Sequence, residues 1–97
     1  MLKGKQKRYL RALAHGIRAE MQLGKEGITE GVIFQVDEML EHKELVKISV
    51  LPSSPIKLKE LADMVAEKTV SELVQIIGKR FLLYRRSDKK PVIELPL

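Results

Sequence analysis

The sequence predicts an α/β fold, a mixed four-stranded sheet with three helices in the order α-β-α-β-α-β-β. Three observations carry that expectation. Apolar residues recur at helical spacing in three segments and at strand spacing in four others. Two strand–helix–strand crossovers call for parallel pairing, and a tight turn at Gly78-Lys79-Arg80 calls for an antiparallel hairpin. With 97 residues, 44% of them hydrophobic and 32% charged, the chain is long enough for one core and too short for two, so 1–97 is expected to be a single domain.

The elements follow in order. Over 3–15, Leu2, Gln6, Tyr9, Leu10 and Leu13 make one helical stripe, and Gly16 stands where a helix C-cap belongs. Met21 and Leu23 alternate with polar neighbours as a short strand, followed by the loop Gly24-Lys25-Glu26-Gly27. Thr29 is a natural N-cap for a helix over 30–42, with Ile28 and Ile33 placed as a hydrophobic staple. Its buried face would be Val32, Ile33, Val36, Met39 and Leu40, leaving Glu30, Asp37, Glu38 and Glu41 in water.

A strand over 45–50 puts Val46, Ile48 and Val50 on one face. Ser54 as N-cap and Pro55 at the first helical position predict a third helix to about residue 68, packing through Leu58, Leu61, Ala62 and Val65. Strands over 70–77 and 81–85 form the hairpin. A polar turn over 87–90 then leads to an extended tail at 91–97.

Composition excludes several functions. The absence of cysteine removes a disulfide scaffold, a zinc finger and a thiol nucleophile. His15 and His42 are far apart and lack carboxylates at ligand spacing, so no metal site is expected, and Ser53 and Ser54 beside prolines read as turn residues. No phosphate-loop or dinucleotide glycine pattern occurs, so neither a cofactor nor a small-molecule substrate is expected, and no enzyme activity. No apolar run approaches the ~20 residues of a membrane helix, and no apolar segment of signal-peptide type follows the basic N-terminus. The expected location is the cytoplasm and the expected state a monomer.

The net charge of +5 is unevenly spread. Residues 1–18 hold six Lys or Arg and no acid, 79–97 hold six against two acids, and 19–78 hold six against eleven. Basic ends around an acidic middle are the footprint of a polyanion partner, against the plainer alternative of solubility.

Three clusters carry the positive charge. Lys3, Lys5, Lys7, Arg8 and Arg11 crowd the first helix, where the macrodipole disfavours N-terminal cations by ~0.3–1 kcal/mol each. Lys3, Lys7 and Arg11 also repel one another at i, i+4 spacing, with no nearby acid to relieve them. A bound phosphate backbone would supply the missing anions. The second cluster is Gly24-Lys25-Glu26-Gly27, which follows a strand and opens a helix, a place where backbone N–H groups attract phosphate. A similar GxxG loop clamps nucleotides in KH domains, but a tight turn needing one positive φ explains the glycines equally well. The third is Lys79, Arg80, Arg85 and Arg86 around the hairpin, with a charged edge against aggregation as the competing explanation.

Taken in order, KQKRYLRALAH at 5–15, LGKEGITEGV at 23–32, EHKELVKI at 41–48 and IGKRFLLYR at 77–85 resemble the CRM domain, the chloroplast RNA splicing and ribosome maturation domain, in its stand-alone bacterial YhbY form. The resemblance spans nearly the whole chain. It implies a fold similar to the C-terminal domain of translation initiation factor three. It also implies RNA as partner, large-subunit ribosomal RNA in pre-50S particles, with the family's GxxG loop at Gly24, Lys25, Glu26 and Gly27. The expectation is therefore an RNA-binding domain acting in large-subunit assembly, its three basic clusters on one face. The alternative is an assembly factor docking mainly on ribosomal protein. Duplex DNA binding lacks a recognition helix, because the outer faces of helices 2 and 3 are acidic.

Overall fold

The computed structural model describes residues 2–97. Its elements are α1 (Gly4–Ala14), β1 (Met21–Leu23), α2 (Glu30–Lys43), β2 (Leu45–Val50), α3 (Leu58–Thr69), β3 (Glu72–Ile77) and β4 (Arg80–Tyr84). The predicted order holds throughout. The sheet order is β1-β2-β4-β3, with β1 and β2 parallel and both β4 pairings antiparallel. The second crossover does not pair its two strands as expected. β2 and β3 run the same way, but β4 folds back between them and pairs with both.

Strand alternation gives the sheet two different faces. Leu23, Val46, Ile48, Val50, Phe81 and Leu83 pack under α2 and α3, whose Val36, Leu40, Leu61, Ala62 and Val65 complete the main core. Leu45, Val74, Leu82 and Tyr84 face the other way and meet Leu10 and Ala14 of α1, with Ile93 and Leu95 of the C-terminal segment. A bulge between Leu73 and Gln75 sets both Val74 and Gln75 opposite Leu82, so the two consecutive residues share this second face.

Helix ends depart from the sequence reading where a local contact beats a propensity. Thr29 caps α2 as predicted, its hydroxyl accepting from Val32 N–H at 3.1 Å. Ser54 does not cap α3. Its hydroxyl accepts from Ile56 N–H and donates to Ile56 C=O, so the chain turns once more and the helix starts at Leu58 after Lys57. Gly16 is not a left-handed cap. His15 closes α1 in a right-handed conformation, and the Ala14 carbonyl accepts from Ile17 N–H at 3.0 Å and from Lys47 Nζ at 2.9 Å. Val70, predicted as strand, is the left-handed C-cap of α3 at φ 53°.

The tail over 91–97 forms no strand, but it is packed. Its anchor is Glu44, a fully buried residue at φ 66° after α2. The Glu44 carboxylate accepts from the N–H groups of Ser87 (2.7 Å), Val92 (2.8 Å) and Ile93 (2.7 Å). Gln6 adds a bond to Pro96 C=O. Glu41, expected in water, caps the 87–90 turn by accepting from Ser87 Oγ and from Asp88 and Lys89 N–H.

Candidate nucleic-acid interface

The GxxG loop lies at the end of the sheet where β1 and β2 finish and the hairpin turns. Leu51 N–H bonds Leu23 C=O, and Val50 N–H bonds Lys79 C=O, both at 2.8 Å, so the loop and the hairpin tip converge there. Both glycines have a structural reason. Gly27 has φ +63°, and a Cβ on Gly24 would meet Ser53 Oγ at 3.3 Å. Lys25 and Glu26 between them are exposed.

Helix α1 lies across the strands, touching β2 and β3 on the second face of the sheet. Leu10 and Ala14 point down onto that sheet. At 3.6 residues per turn, Gln6, Tyr9 and Leu13 then fall on one flank, and Lys7 and Arg11 on the other. The Gln6–Tyr9 flank lines a groove of about 910 Å³ with Tyr84, Pro91 and Ile93, which fixes it on the side of the C-terminal segment. Lys7 and Arg11 therefore face the opposite end of the sheet, toward the hairpin and the GxxG loop. Lys3 starts the helix as its N-cap, and Lys5 and Arg8 stand on the exposed outer surface.

Beyond α1 on this face, one cross-strand row stays uncovered: Gln22 pairs with Ser49, Ser49 with Arg80, and Arg80 with Ile77. Paired residues share a face, so this row continues the side of the sheet that carries α1. The next row, Lys47–Leu82–Gln75, runs at the foot of the helix. The apolar pattern of β2 announces its hydrophobic face, and the polar face carries a fainter signal. The signal was present, because Lys47 and Ser49 alternate with Val46, Ile48 and Val50.

The hairpin cations separate. Lys79 and Arg80 stay exposed at the loop end. Arg85 and Arg86 follow β4 at its other end, about 16 Å away by strand rise. Arg85 is committed to the fold, since its guanidinium pairs with the Asp37 carboxylate, donates to Asp37 and Thr69 C=O, and lies 3.7 Å from Glu41. It ties β4 to α2 and to the end of α3. Arg86, exposed, lies within electrostatic reach of Glu44. The three clusters thus do not form one face as expected: Lys7 and Arg11 point toward the end of the sheet that carries the loop and Lys79–Arg80, Lys5 and Arg8 stand on the outer surface of α1, and Arg85 and Arg86 lie at the other end of β4. Tyr84 is buried under α1, and burial together with the Glu44 charge pushes its hydroxyl pKa up.

A test separates Arg85 from the basic face. Arg85→Lys, which cannot span Asp37 and Thr69 with a planar fork, is expected to cost about 1–3 kcal/mol of stability. RNA affinity of the folded variant should stay within about twofold. A tenfold loss of affinity at unchanged melting temperature would return Arg85 to the interface.

Several charge pairs gather on one side of the molecule. Lys43 pairs with Glu20, Lys59 with Asp63 at 2.6 Å, and His42 with Glu38 at 3.8 Å, all around the α2–α3 side and its edge. Among the described residues, Lys3, Lys5, Lys7, Arg8, Arg11, Lys25, Lys79 and Arg80 make no ion pair, and on the α3 side neither do Lys57 and Lys68. No group of acids and histidines among the described residues could hold a metal, and no helix is long and apolar enough to cross a membrane.

These features define an α/β domain with one face fully covered by two helices and the other left half open, polar and basic. The chain belongs to the CRS1/YhbY (CRM) domain family, whose model matches residues 2–85. It is 42% identical over 96 residues to the Bacillus subtilis protein named Probable RNA-binding protein YqeI, covering 99% of this chain and 100% of that one. A Haemophilus influenzae relative named RNA-binding protein is 35% identical over 95 residues, 98% of this chain and 95% of its own. The solution structure of the Staphylococcus aureus protein SAV1595 superposes with a TM-score of 0.81 at 52% identity, covering 99% of this chain and 100% of that one.

Proposed function

We propose that this protein binds RNA through the basic half of the α1 face, as a monomer in the cytoplasm, and acts without catalysis. The observation that carries the reading is the row of unpaired cations, Lys7, Arg11, Lys79 and Arg80, bordering the open half-sheet, while Lys43, Lys59 and Arg85 on the α2–α3 side are held by carboxylates. A fold selected for stability alone would place acids beside them. Relatives named for RNA binding support the choice of RNA among polyanions. The RNA we propose is large-subunit ribosomal RNA in pre-50S particles, with assistance to subunit assembly as the role. The GxxG loop would bring Lys25 and its backbone to a phosphate at the edge of the same surface, with Glu26 turned away.

Affinity for structured RNA should fall steeply with salt. With roughly four to eight phosphates neutralised, the log–log slope in a filter-binding titration is expected at about −3 to −7. A slope near zero removes the electrostatic argument. Crosslinking the tagged protein in cells and sequencing the attached RNA tests the partner. Large-subunit sequences should dominate, whereas sparse crosslinks and retention on particles through protein alone would favour docking on ribosomal protein.

A further inference from the structure

The uncovered row asks for more than a phosphate ladder. Gln22–Ser49–Arg80–Ile77 crosses all four strands, a width of about 14 Å at ordinary strand spacing, and Gln75 adds a further amide at the foot of α1. This row contains no carboxylate, and the Glu20 carboxylate at the β1 end of the next is paired with Lys43. Among the described residues, the side chains of Gln22, Ser49 and Gln75 make no hydrogen bond within the protein, although Ser49 and Gln75 are half-buried. A carboxamide offers both a donor and an acceptor, the pair needed to read the edge of a base rather than a phosphate. Ile77, 52% exposed at the end of the row, adds an apolar contact.

We infer that this row is the seat of an unpaired RNA strand, its base edges met by Gln22, Ser49 and Gln75 and its phosphates held by Lys7, Arg11 and Arg80. The inference rests on the RNA-binding reading and narrows it from RNA in general to single-stranded segments. The relief of the surface selects the strand. Helix α1 rises about one helix diameter, ~10 Å, above the row, which makes the open half-sheet a recess. A duplex keeps its bases stacked and paired and cannot lower their edges into it, whereas a loop or bulge can splay them out. No aromatic residue stands in either row, so the site does not work as a stacking platform and discriminates by hydrogen bonding. Some preference among base sequences follows, beyond what charge alone would give.

Fluorescence anisotropy with labelled eight-nucleotide RNAs, as single strands of varied sequence and as blunt duplexes, tests this on the full chain. The wild-type protein should bind its best single strand at least tenfold more tightly than the duplex. The double variant Gln22→Ala, Gln75→Ala should lose five- to tenfold on that strand with its salt slope unchanged, since no phosphate contact is removed. Arg80→Ala should lose affinity across all sequences and reduce the slope by about one. Equal affinity for duplex and single strand overturns the inference while leaving the RNA-binding reading intact. So does wild-type affinity in the double variant with an unchanged circular dichroism spectrum. Competition by polyglutamate as effective as by RNA also overturns it, making the recess a site for acidic protein segments. Absence of salt-dependent binding to either RNA form overturns the broader reading as well.

Discussion

Replacing Glu44 by glutamine is expected to lower stability by about 2–4 kcal/mol, roughly 10–25 °C in melting temperature for a domain of this size. The carboxylate accepts three backbone N–H bonds, two on Oε1 and one on Oε2. An amide offers one acceptor oxygen and turns the other site into a donor facing a donor. The buried position gives water little access to repair the mismatch. Loss of the anchor should also free the 87–97 segment, so trypsin should cut after the exposed Lys89 sooner than in the parent. An unchanged melting temperature would mean that packing of Ile93 and Leu95 alone holds the segment.

The same residue sets an acid limit. Burial pushes the Glu44 carboxyl pKa up, but the N–H groups of Ser87, Ile93 and Val92 and the Arg86 charge together outweigh it, so the net shift is downward. Glu41 shifts the same way, chiefly through the Ser87 hydroxyl acting against desolvation, with help from Lys89 and Asp88 N–H and from Arg85. A carboxyl held below its unfolded value binds its proton less readily in the native state. Its stabilisation is therefore complete above the ordinary value of 4.5 and is lost as pH falls through the lower, native one. Melting temperatures taken between pH 7 and pH 3 should fall most steeply below about pH 4.5, and Glu44→Gln should flatten that fall.

Reversing charge at Lys7 and Arg11 should act on binding and spare the fold. The double variant to glutamate is expected to bind RNA at least tenfold more weakly, because two phosphate contacts become repulsions beside the recess. Its melting temperature should stay within a few degrees of the parent's. The acid at position 7 gains attraction to Lys3, the one at position 11 gives up the favourable last-turn placement of Arg11, and one like-charge pair replaces another, so the opposing effects, each a few tenths of a kcal/mol, nearly cancel. Weaker binding together with a clear drop in melting temperature would mark the two cations as structural.

Much of this was written locally. Period-2 and period-3.6 patterns specify every element, because the apolar residues of each must meet one core whatever the neighbours do. Thr29 announces its helix because the hydroxyl needs only its own next turn, and the unrelieved cations of α1 are visible because repulsion at i, i+4 is local. What required the tertiary structure depends on partners far apart in sequence. Arg85 reads as one more hairpin cation until α2 brings Asp37 to it, 48 positions away. Glu44 looks like an ordinary surface acid until the chain returns at 87–93 to fill its carboxylate. The row Gln22–Ser49–Arg80–Ile77 exists only because β4 inserts between β2 and β3, and it is open only because α1 stops short of it. Local patterning decides which residues turn inward; long-range pairing decides which of the remaining polar groups are satisfied by the protein and which are left for a ligand.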